Sequence, residues 1–60
     1  MYGIIYWTNG DNEIRFVERD DAKGTIWASL KLGEADTKAY EVEDKCNVDC
    51  RVISLEGVQA

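Results

Sequence analysis

The chain has 60 residues, 45% of them hydrophobic and 32% charged, so its composition excludes disorder and its length excludes a second hydrophobic core. Twelve acidic against seven basic residues give a net charge of −5, which opposes unassisted approach to phosphate backbones or anionic lipid and suits basic partners. The longest apolar run, Ile4 to Trp7, falls far short of the roughly 20 residues of a membrane span, and no basic stretch precedes it as in a secretory leader. A cytoplasmic protein with no membrane partner is expected.

In chain order, Tyr2 to Thr8 is rich in β-branched and aromatic residues and reads as a strand. Asn9-Gly10 supplies the positive φ angles of a tight hairpin, and alternation resumes from Glu13 to Arg19. A second reversal follows at Asp20-Asp21-Ala22-Lys23-Gly24, an acidic opening closed by a glycine bulge, with a partner strand from Gly24 to Ser29. These three strands read as an antiparallel meander.

Beyond Gly33 the period changes. Leu32, Ala35, Ala39, Val42 and Cys46 are spaced 3, 4, 3 and 4, which gathers every small or apolar side chain except Tyr40 onto one helical stripe. Glu34 with Lys38 and Glu41 with Lys45 stand four apart in the order that favours a helix. The reading is a helix from Gly33 to Cys46 capped by Asn47, then a strand from Cys50 to Glu56. The fold class is therefore α+β, a two-layer βββαβ domain; the alternative is a small all-β five-stranded barrel of SH3-like or OB-like form. Ile4, Tyr6, Ile14, Phe16, Ile26, Ala28, Ile53 and Leu55 are expected to meet the helix stripe.

The closing run CNVDCRVISLEGV, Cys46 to Val58, after the helix-like EADTKAYEVEDK, resembles the tail of short uncharacterised proteins encoded by tailed bacteriophages. The resemblance covers the last third of the chain. It implies a phage origin and a bacterial host cytoplasm, and carries no activity.

Catalytic material is sparse. The chain has no histidine, leaving carboxylates, lysines and two thiols; paired acids such as Asp20 with Asp21, or Glu41 with Glu43, would raise one another's pKa only in a shared cleft, and acids on turns or an exposed helix are usually solvated. Cys46 and Cys50 lack both the CxxC spacing of a redox pair and further ligands for zinc, so they read as free thiols, with Cys46 buried on the stripe. Asn9 to Glu13 offers oxygen ligands without the pattern of a calcium loop. No catalytic residue, metal or cofactor is expected.

A helix on one side leaves the opposite sheet face uncovered, and alternation from the expected core places Ile5, Trp7, Arg15, Val17, Trp27 and Val52 there. Tryptophan beside arginine and β-branched residues is the composition of interface cores. The leading reading is a small acidic protein-interaction module, an inhibitor or modulator of a host protein. It would bind through Trp7, Arg15, Val17, Trp27 and Val52, with Glu34, Glu41 and Asp44 on an acidic helix surface adding selectivity. The alternatives are a single-stranded nucleic-acid platform, with Trp7 and Trp27 stacking bases and Arg15 and Arg19 on phosphates, and a structural homodimer.

Overall fold

The computed structural model describes residues 1–10 and 13–56. Among the described residues six strands and one helix follow in the order β1 (Tyr2–Trp7), β2 (Arg15–Phe16), β3 (Glu18–Arg19), β4 (Ala22–Ile26), β5 (Ala28–Ser29), α1 (Leu32–Cys46) and β6 (Asp49–Ser54). The domain is α+β, with antiparallel sheets and no closed barrel.

Strand β1 is the centre of the sheet. One of its edges pairs along its whole length with β6, from Tyr2 opposite Ser54 to Trp7 opposite Asp49. The other edge is shared: β2 takes Ile5 and Tyr6, and β5 takes Tyr2 and Gly3. Between them the chain forks. Val17 donates its N–H to the Ile4 carbonyl (2.8 Å), while the Val17 carbonyl accepts from Trp27 N–H (2.9 Å). Beyond this point β3 and β4 leave β1 and pair with each other as a two-stranded ribbon. Each of the second and third expected strands is thus split in two, at Val17 and at Trp27.

The ribbon reverses after Arg19, which faces Ala22, and its register then shifts so that Glu18 faces Ile26. The shift is the glycine bulge the sequence indicates: Gly24 has φ +88° and donates its N–H to the Glu18 carboxylate at 3.1 Å. The reversal itself is tighter than expected, with β4 beginning at Ala22.

Helix α1 begins one residue before the expected start and ends where its period ends, on Asn47 at φ 54°, ψ 47°, whose N–H donates to the Glu43 carbonyl. Lys45 pairs with Glu41 at 3.0 Å as the spacing indicates. Lys38 instead reaches Asp20 at the ribbon turn (3.4 Å), and Glu34 accepts a hydrogen bond from the Ser29 hydroxyl (3.0 Å). Both side chains therefore tie the helix to the sheet.

Ile4, Val17 and Ala39 form the centre of the core, with Tyr6, Trp27, Val42, Cys50 and Val52 packed against them. This corrects the facing of three strands. Directly paired residues share a face, so the register of β1 with β2 places Val17, not Ile14 or Phe16, beside Ile4. In the same way Val52 lies opposite Ile4, which moves Ile53 to the far side of the sheet, where Leu55 packs over Gly3. Ile14 and Ile26, expected in the core, are 64% and 43% exposed. The ends of the helix stripe are also open: Leu32 is 49% exposed, and Cys46 is exposed rather than buried.

Candidate functional site

Because only Asn47 and Val48 separate α1 from β6, the strand runs back along the helix it has just left. A groove of about 460 Å3 lies between them. Ala39, Cys50 and Val52 line its floor, and Tyr2, Leu32 and Tyr40 its walls. Among the described residues its only charged lining is Asp36 and Glu43.

Tyr40 dominates this surface at 76% exposure. Helical spacing sets Asp36, Glu43 and Asp44 beside it, at four residues before and three and four after. A second hollow on its other side is lined by Asp36, Thr37, Glu41 and Asp44, again with no basic side chain among the described residues. Tyr40 thus stands as an aromatic ridge between two acid-rimmed depressions. Such a ring attracts a lysine or arginine side chain through its face, while the carboxylates supply charge complementarity.

Among the described residues the carboxylates with shifted pKa values, Asp21 and Glu41, are lowered, the reverse of what a general acid needs. The Arg19 guanidinium, bonded to Asp21 at 3.0 and 2.8 Å, holds that carboxyl below its ordinary value, and Lys45 does the same for Glu41. Burial, followed by the charge of Glu43, pushes the Cys50 thiol up. No disulfide joins Cys46 to Cys50, and no cluster of potential metal ligands occurs among the described residues. Asp11 and Asn12 of the oxygen-rich loop lie outside the described residues.

The sequence-derived interface residues do not come together. Val17 is buried at 7% exposure, and Trp27 and Val52 pack against the core on the helix side of the sheet. Trp27 also borders a hollow beside Gly33, Thr37 and Lys38 of the helix. Arg15 lies opposite Tyr6 and ion-pairs with Glu13. Trp7 shares the far face with Ile5, Phe16 and Ile53, all half-buried. The two tryptophans therefore lie on opposite sides of the sheet and offer no shared stacking platform.

Of the acidic helix residues, Asp44 adjoins Tyr40, whereas Glu34 and Glu41 are engaged by Ser29 and Lys45. Sequence reasoning missed Tyr40, Asp36, Glu43 and Leu32 as a group. The signal was present: Tyr40 is the one large apolar side chain that the helical stripe leaves out, so the period itself turns it outward. No helix among the described residues is long and apolar enough to cross a membrane. No family model matches this chain, and neither a curated protein nor a solved structure matches it.

Proposed function

We propose that the chain is a small acidic protein-interaction module, an inhibitor or modulator of a protein in the bacterial host cytoplasm, which docks through the groove between α1 and β6. The observation that carries this reading is Tyr40, 76% exposed and flanked by Asp36, Glu43 and Asp44. Exposed aromatic side chains are the residues around which interface hot spots form, and a one-signed rim selects partners of the opposite charge and speeds their encounter. The role is non-catalytic and needs no cofactor.

Capture on the immobilised protein, followed by titration of each purified candidate partner against the wild type, Tyr40→Ala and Glu43→Lys, tests this. A partner whose affinity falls at least tenfold in both variants supports the reading; one that binds all three equally contradicts it.

A second reading, a structural homodimer, is favoured by the far face of the sheet. Ile5, Trp7, Phe16 and Ile53 stay half-buried there because the helix lies on the other side. Light scattering over a hundredfold concentration range separates the two: self-association that Trp7→Asp splits supports the dimer, and a monomer throughout argues against it.

A further inference from the structure

The groove has a second property that its side chains do not reveal, in the backbone of its strand wall. In the β1–β6 ladder the Leu55 N–H donates to the Met1 carbonyl at 2.8 Å, which fixes the phase of the alternation. Antiparallel partners alternate between pairs that exchange both hydrogen bonds and pairs that exchange none. Asp49, Arg51 and Ile53 therefore direct their N–H and C=O groups at β1, and Cys50, Val52 and Ser54 direct theirs away from it. Among the described residues β6 has no second neighbouring strand, and nothing takes up those outward groups. Cys50, Val52 and Ser54 also line the groove, together with Ile53.

Natural sheets blunt their free edges with proline, lysine, bulges or covering elements. Asp49–Ser54 contains no proline or lysine, and its six pairs with β1 run without a register shift; its two charged residues, Asp49 and Arg51, pair with Trp7 and Ile5 on the far face of the sheet, away from the groove. A regular strand edge open to a groove is the receptor geometry of strand addition, in which main-chain hydrogen bonds supply affinity and alternate side chains supply specificity.

Charge decides the occupant. Among the described residues Asp36 and Glu43 are the only charged ones lining the groove, and the chain carries a net charge of −5. A second copy would bring like charges together, which opposes pairing. Building on the docking role proposed above, we infer that β6 receives an extended segment of a partner protein carrying lysine or arginine at alternate positions. It adds a strand beside Cys50, Val52 and Ser54 and turns its basic side chains toward Asp36 and Glu43, with Tyr40 between them.

The test is an amide NMR titration of the full chain with a capped octapeptide alternating lysine and valine. Its controls are a glutamate–valine peptide and a lysine–valine peptide N-methylated on alternate residues. The variant is Ser54→Pro, which removes an outward N–H that the β1 ladder does not use, at a position where an edge strand tolerates proline.

The expected result is large shifts and slowed exchange at the Cys50, Val52 and Ser54 amides. Ser54→Pro and N-methylation should each weaken binding at least tenfold, and the glutamate–valine peptide should not bind. Lysine–valine binding that shifts only the helix around Tyr40, and is indifferent to both changes, would overturn strand addition while leaving the docking role standing. Equal binding of the glutamate–valine peptide, or no binding of either peptide, would overturn the assigned occupant. So would a dimer that Ser54→Pro splits. If Ser54→Pro lacks the wild-type thermal transition, the N-methylated peptide alone decides.

Discussion

Val17 donates its backbone N–H to the carbonyl of Ile4 at 2.8 Å, and this bond sets which side of the second strand faces the helix. Ile4 is fully buried and Val17 nearly so, whereas Ile14, three residues earlier, stands in solvent. Ile4→Ala should therefore cost ~2–5 kcal/mol, comparable with the ~3–5 kcal/mol that a core of this size supplies, and should largely unfold the domain. Ile14→Ala should change stability by no more than about 0.5 kcal/mol. Urea denaturation followed by tryptophan fluorescence checks both, and an Ile14→Ala loss as large as that of Ile4→Ala would refute the register.

The helix stop is a second test. Asn47 occupies the left-handed region at φ 54°, where glycine is at ease and a residue with Cβ but no local polar group is strained. Asn47→Gly should leave the melting temperature unchanged or raise it, while Asn47→Ala should lower stability by about 1 kcal/mol.

The exposed pair Glu41–Lys45 has a definite pH signature. The Glu41 carboxyl is lowered by its bond to Lys45, so the pair's contribution is present above the ordinary glutamate pKa and fades as pH falls through the lowered value. The Lys45 ammonium is raised by the same partner, so its contribution is present below the ordinary lysine pKa and is lost as pH rises through the raised value. Carboxyl NMR should find Glu41 titrating below an ordinary glutamate, and returning toward it in Lys45→Ala or in high salt.

The two thiols should differ in reactivity. Cys50 is half-buried, and burial with the nearby Glu43 charge raises its pKa, which leaves less thiolate at neutral pH; Cys46 is exposed. Mass spectrometry during iodoacetamide labelling should show Cys46 modified first, with Cys50 gaining rate in Glu43→Gln. Equal rates would contradict the placement of Cys50 in the groove floor.

Much of the architecture was legible in the residues, because local chemistry sets it. The helix from Leu32 to Cys46 follows from the spacing of Ala35, Ala39 and Val42, its end from Asn47, and the ribbon bulge from Gly24. The facing of the strands was not legible. It depends on pairing register, and β6 meets β1 through a connection that contains the whole helix, so no turn type fixes whether Val52 or Ile53 turns inward. The fork at Val17 is likewise a long-range event, because it requires β5 to return to the edge of β1 that β3 has left. The interface residues inferred from alternation inherited that error. Tyr40 depends only on the helix period, and its outward placement could have been read at once.

Site-specific photo-crosslinking in cells tests the docking role most directly, with a photoreactive phenylalanine analogue replacing either Tyr40 or Trp7. Docking through the acidic groove predicts one discrete adduct with another protein from position 40, lost when Glu43→Lys is added, and none from position 7. An adduct from position 7 alone, or adducts between copies of the chain, would contradict it and move the working surface to the far face of the sheet.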